Sequence, residues 1–208
     1  MAATNEEIVA FIELLGNLAV EECNRRESLG EGWVVPSVCI GQSAHETGWG
    51  KSDIMVKANA FFGIKAGGSW TGKVFTADTH EVVNGETVNI SANFRAYDNL
   101  ADSVRDYYDL ITAARYSAAL SRVGSVKSAS ETINAIHAGG YATEPLYVDY
   151  IMDIVNGRDL EQWDSKVDGN YTGGGSGSNP GYEYVTPPAT GPATRCKFVN
   201  IKDDLILK

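Results

Sequence analysis

Two glutamates stand in settings suited to acid–base chemistry. Glu46 closes a stretch that opens at Pro36, a favoured first-turn residue, and runs to Gly48, so the spacing predicts a helix ending near Gly48. Ser43, Gln42 and Cys39, three, four and seven residues back, share the face of Glu46, while Val38 and Ile40 pack inward nearby. A negative charge is disfavoured at a helix C-terminus, and an indole, Trp49, follows in the turn Gly48-Trp49-Gly50. Both features raise a carboxyl pKa and suit a general acid that keeps its proton near neutrality. The plain alternative is a solvent-facing glutamate in a last turn. The second carboxylate lies in an alternating stretch, Val74–Tyr97, interrupted by Asn84-Gly85, which reads as the two-residue turn of a hairpin. That register pairs Val83 with Glu86, Glu81 with Val88 and Thr79 with Ile90. Glu81 then shares the more apolar face, and Glu86, on the same face, sits at the tip. Two carboxylates flanking a cleft are the minimum equipment for glycoside hydrolysis.

Other residue types narrow the chemistry. Trp49, Phe62, Trp70 and Tyr97 could stack on sugar rings, against the usual fate of such aromatics as core. Tyr107 and Tyr108 fall on an apolar helical stripe and read as packing. Three histidines (His45, His80, His137) and three cysteines (Cys23, Cys39, Cys196) are scattered without metal-ligand spacing, so neither a zinc site nor a disulfide framework is expected. Cys39 reads as a buried, apolar-like residue. Gly67-Gly68 lacks the strand-to-helix setting of a phosphate loop. No metal or organic cofactor is implied.

The elements that must hold these groups are mostly helical. Thr4 with Glu7 makes a capping box for a helix through about Glu22, with Ile8, Phe11, Ile12, Leu15 and Ala19 on one face. Asp98 or Asn99 can cap a helix whose apolar face is Leu100, Val104, Tyr107, Tyr108 and Ile111. Ser128 with Glu131 is a second capping box, for a helix ending at Gly139-Gly140, and Pro145 opens a last helix that stops at Gly157. A mainly helical body with one small β-hairpin lobe flanking a cleft is an α+β arrangement of the lysozyme-like kind.

Composition bounds the rest. The 208 residues, 43% hydrophobic and 21% charged, suffice for one well-buried domain and exclude wholesale disorder. A formal net charge of -10 argues against nucleic-acid binding and against avid binding to an anionic membrane surface. No 18-residue apolar run exists to be inserted into a bilayer. The acidic start Met1–Glu7, and an apolar stretch interrupted by Glu13, do not read as a signal peptide. Residues 165–192 hold seven glycines and four of the six prolines and read as a linker. The division expected is therefore a domain at 1–164, a linker at 165–192 and a strand-like tail at 193–208, too short for a core of its own. The tail either docks elsewhere or begins a truncated wall-binding or oligomerising module.

The segment Pro36-Ser-Val-Cys-Ile-Gly-Gln-Ser-Ala-His-Glu-Thr-Gly-Trp-Gly-Lys51 resembles the catalytic helix of the peptidoglycan N-acetylglucosaminidases of glycoside hydrolase family 73. Asn59-Ala-Phe-Phe-Gly-Ile-Lys65, Thr79-His-Glu-Val-Val-Asn-Gly85, Phe94-Arg-Ala-Tyr97, Arg115-Tyr116 and Gly140-Tyr-Ala-Thr-Glu-Pro145 are similar to later segments of that family, in its order, over about residues 5–160. The resemblance implies that Glu46 is the general acid, that Glu81 is a base or stabiliser, and that Tyr141 positions the sugar. Trp49, Asn59, Phe62 and Tyr97 are then further substrate-binding candidates. Ala60 and Phe61 depart from the family's usual Asn and Leu, and His45 takes no role from it. The expected activity is hydrolysis of the β-1,4 bond after N-acetylglucosamine in bacterial peptidoglycan. The competing readings are a muramidase or lytic transglycosylase on the same glycan, and a non-catalytic peptidoglycan-binding module. The expected context is a phage endolysin held in the host cytoplasm until lysis and then acting at the cell wall, with a virion-borne lysin or truncated autolysin as runner-up.

Overall fold

The computed structural model describes residues 2–83 and 86–171, and for residues 79–83 and 86–90 the backbone alone. The proposed turn Asn84-Gly85, Cys196, most of the linker and the tail lie outside the described residues. Six α-helices and one antiparallel hairpin make up the frame. They are α1 (Asn5–Ser28), α2 (Pro36–Thr47), α3 (Asp53–Ala58), β1 (Lys73–Val83), β2 (Glu86–Ala96), α4 (Leu100–Ile111), α5 (Ala129–Ala138) and α6 (Tyr147–Gly157). Short 3-10 helices follow α4 (Ala114–Ala119) and α6 (Leu160–Lys166). The mainly helical body with one β lobe is the α+β arrangement expected.

Local signals set most helix starts. Both capping boxes form, Thr4 with Glu7 and Ser128 with Glu131, and Asn99 rather than Asp98 caps α4 by accepting from the Asp102 N–H at 2.9 Å. Helix α1 runs six residues past the expected Glu22. The extension carries an inward polar face that apolar periodicity cannot detect. Arg26, 3% exposed, pairs with Glu22 at 2.8 Å and also with Asp109 of α4, and the buried Cys23 thiol donates to the Tyr108 hydroxyl at 3.2 Å. Cys23 and Cys39 are both unbridged.

Helix α2 is the centre of the molecule. Every residue from Pro36 to Thr47 except His45 is buried, because α1, α5, α6 and the 3-10 helix at Leu160–Lys166 all pack on it. It ends at Gly48 in the left-handed region (φ 58°) that favours glycine. The packed body also reaches past the boundary expected at residue 164. Val167 is buried in the main core, and the Asn24 side-chain oxygen accepts from the backbone N–H groups of Asp168 (3.1 Å) and Gly169 (2.9 Å).

The hairpin pairs in the expected register, Val83 with Glu86, Glu81 with Val88 and Thr79 with Ile90. A small satellite core of Ile54, Ala58, Ala60, Phe94 and Tyr97 seats its base on α3. Among the described residues no helix is long and apolar enough to cross a membrane.

Candidate active site

Glu46 lies in the last turn of α2 and is 6% exposed. Burial raises its carboxyl pKa to about 8. The expectation of a raised value holds, and burial is its cause. The solvent-facing alternative is thereby overturned.

Two buried phenols lie within electrostatic reach of this carboxyl. Tyr141, just after Gly140 (φ 83°), and Tyr147, at the start of α6, are fully buried with rings 6.0 Å apart, and the Glu46 charge acts on both, adding to the burial that pushes their pKa values up. Among the described residues the buried Tyr141 hydroxyl has no hydrogen-bond partner. One turn before Glu46, Gln42 donates its amide N–H to the Tyr147 hydroxyl at 2.8 Å and accepts from the Tyr107 hydroxyl at 2.6 Å. The half-buried His45 ring stands edge-on to Tyr147 at 5.8 Å and stacks on Tyr150 at 5.7 Å.

Trp49 follows three residues past Glu46. It is half-buried, with a positive φ of 62° between two positive-φ glycines. Such a run is costly for a tryptophan, and here it is held by Thr47, whose hydroxyl accepts from the Gly50 N–H at 2.8 Å. The indole meets Phe11 edge-on at 5.9 Å, and the Arg158 guanidinium lies 5.6 Å from its centre.

The other expected sugar contacts are committed to the scaffold. Phe62 is 2% exposed and stacks on Tyr107 at 4.0 Å, so its ring serves the core and presents no face to a ligand. Asn59 takes the left-handed conformation that ends α3, and its amide donates to the backbone carbonyls of Tyr97 (3.1 Å) and Asp98 (3.4 Å). Tyr97 donates to Asp106 at 2.6 Å beside a cavity of about 380 Å³ that Trp70, Asp102 and Arg105 also line. That cavity lies on the outer face of α4, while Tyr107, on the inner face, reaches Gln42 of α2. Glu81 is placed on β1 opposite Val88, and Glu86 at the turn opposite Val83; their side chains are outside the described residues. Among the described residues no group of three or more His, Cys, Asp or Glu is placed to hold a metal ion.

Two residues tied to this site carry no functional signal in the sequence. Tyr147 reads as one more apolar position of a packed helix. Asp164 reads as surface, yet its carboxylate accepts from the Ser37 N–H (2.8 Å) and hydroxyl (2.7 Å) at the start of α2.

Residues 25–160 match the glucosaminidase family, described as mannosyl-glycoprotein endo-beta-N-acetylglucosaminidase. The chain belongs to the glucosaminidase family. Among curated relatives, the chain is 36% identical over 137 residues to the exo-glucosaminidase LytG of Bacillus subtilis, covering 63% of this chain and 46% of LytG. It is 38% identical over 125 residues to the peptidoglycan hydrolase FlgJ of Vibrio parahaemolyticus, covering 58% of this chain and 40% of FlgJ. The chain thus spans less than half the length of either. A solved peptidoglycan hydrolase from Sphingomonas sp. A1 is 33% identical, with a TM-score of 0.58 over 79% of this chain and 97% of that one. The catalytic domain of the Listeria monocytogenes autolysin Auto shares the fold, with a TM-score of 0.65 at 24% identity, covering 79% of this chain and 91% of that one. The family match and these neighbours agree with the lysozyme-like α+β fold described above.

Proposed function

We propose that the protein hydrolyses the β-1,4 bond after N-acetylglucosamine within the glycan strands of bacterial peptidoglycan. The observation that carries this reading is the buried Glu46 carboxyl, which keeps its proton at neutral pH because its pKa stands at about 8. Glu46 delivers that proton to the glycosidic oxygen as the C1–O bond breaks, leaving a carboxylate on the enzyme and an oxocarbenium-like charge on the sugar. Glu81 is the group proposed to steady that charge or to activate the water that completes hydrolysis, and Trp49 is the proposed sugar contact; Tyr141, expected to position the sugar, is as fully buried as Phe62 and presents no face to one. The substrate class draws support from LytG and FlgJ, whose names specify glucosaminidase and peptidoglycan hydrolase.

Mass spectrometry of fragments from purified peptidoglycan tests the bond. The reading expects reducing-end N-acetylglucosamine. Reducing-end N-acetylmuramic acid would mark a muramidase, a 1,6-anhydro sugar a lytic transglycosylase, and an unchanged wall a binding module. The endolysin setting is a finer proposal. It expects that cytoplasmic expression lyses the cell only when a membrane hole is supplied, and lysis without one would oppose it.

A further inference from the structure

The amide of Gln42 has a direction, and that direction leaves one proton to be placed. Tyr107 gives its phenolic hydrogen to Gln42 Oε1, and Gln42 Nε2–H gives one to the Tyr147 oxygen. The Tyr147 hydroxyl therefore acts as acceptor, and among the described residues no atom within hydrogen-bond distance accepts its own proton. The opposite orientation of the amide would strand a proton at Tyr107, whose ring is stacked on Phe62 and meets Tyr108 edge-on, with no carboxyl beside it. The orientation seen moves the spare proton to the other end, where Glu46 lies one helical turn beyond Gln42 on the same face of α2. Every member of the chain Tyr107, Gln42, Tyr147 is fully buried.

We propose that Tyr147 is a positioning residue for Glu46: its hydroxyl, oriented by Gln42, donates to the Glu46 carboxylate formed when the proton has left for the glycosidic oxygen. The inference rests on Glu46 as the general acid. In this step the Glu46 O–H bond breaks and the leaving-group O–H bond forms. Tyr147 keeps its own proton and contributes a hydrogen bond that is strong only while Glu46 is charged. A donor that strengthens as charge develops lowers the barrier, whereas one equally strong throughout affects binding alone. Hydrogen bonds of this kind are often long before substrate binds and shorten as charge develops.

The test compares two deletions that each remove one buried phenolic hydroxyl, Tyr147→Phe and Tyr108→Phe, the second donating to the Val34 carbonyl and standing outside the Gln42 chain. Turnover and KM are measured by reducing-end release from purified peptidoglycan, beside thermal unfolding. Tyr147→Phe is expected to lower kcat by about 10-fold or more with KM within about threefold, and Tyr108→Phe to stay within about threefold in kcat at a similar loss of stability. Near wild-type turnover in Tyr147→Phe, or equal losses in both variants, would overturn the proposal. If Tyr147→Phe does not unfold cooperatively, Gln42→Met carries the test, because releasing the phenol should lower kcat in the same way; wild-type kcat there also overturns it. Full activity in Glu46→Gln would instead remove the reading on which the inference rests, whatever Tyr147 does.

Discussion

The carboxylate of Asp164 caps α2 from 127 residues away, accepting from both the backbone N–H and the hydroxyl of Ser37. Val35, the residue before the helix, supplies no side-chain cap, and Pro36 removes one donor, so Asp164 satisfies a buried helix start that local sequence leaves uncapped. The helix that carries Glu46 is thus held at its first turn by the segment that closes the domain.

This tie sets where the domain can be cut. A chain ending at Trp163 lacks Asp164, the core residue Val167 and the backbone partners of Asn24. It is expected to lose at least about 2 kcal/mol relative to the full chain, from one buried charged hydrogen-bonding group and one buried valine. A chain ending at Tyr171 should match the full chain. Thermal unfolding of the two truncations checks this, and equal melting temperatures would show that the closing segment is dispensable.

The acid should cost the fold stability as pH rises. Glu46 has a folded pKa of about 8 against 4.5 for the ordinary carboxyl. A pKa raised by folding means stability that is full below pH 4.5, declines as the unfolded chain ionises first, and is lost as pH passes 8. Asp164, raised to about 6 from 3.8 by burial, gives the same sign over a lower window. Glu46→Gln should therefore leave stability unchanged near pH 4 and raise it at pH 8 by roughly 2–5 kcal/mol. Denaturant midpoints at the two pH values measure this; an equal effect at both would mean that Glu46 is not held neutral.

The two hairpin carboxylates should separate in kinetics. Glu81 stands two residues inside the strand end, opposite Val88, and Glu86 is the first residue of β2. Glu81→Gln is expected to lower turnover by about 10-fold or more, and Glu86→Gln to stay within about threefold. Steady-state rates on one wall preparation compare them. A larger loss at Glu86 would reassign the second carboxylate.

How much of this was legible in sequence follows the range of each interaction. Thr4 with Glu7, Ser128 with Glu131, and the pairing of Glu81 with Val88 are set by neighbours close along the chain, and each was readable. The inward polar face of Glu22, Cys23 and Arg26 was not, because its partners Asp109 and Tyr108 come from α4. Glu46 was found through residues nearby, yet the cause of its raised pKa is the packing of four elements around α2. Phe62 could be core or platform until its stack on Tyr107 decided it. Asp164 and Tyr147 lacked any sequence signal because their partners lie more than a hundred residues away.

The most direct test is the turnover of Glu46→Gln on purified peptidoglycan, measured as new reducing ends per enzyme at neutral pH. Glutamine keeps the size of the side chain and removes the transferable proton, so turnover should fall by about 10²-fold or more while unfolding stays cooperative. A folded Glu46→Gln protein that cleaves glycan strands at near the wild-type rate would contradict the assignment of Glu46 as the general acid.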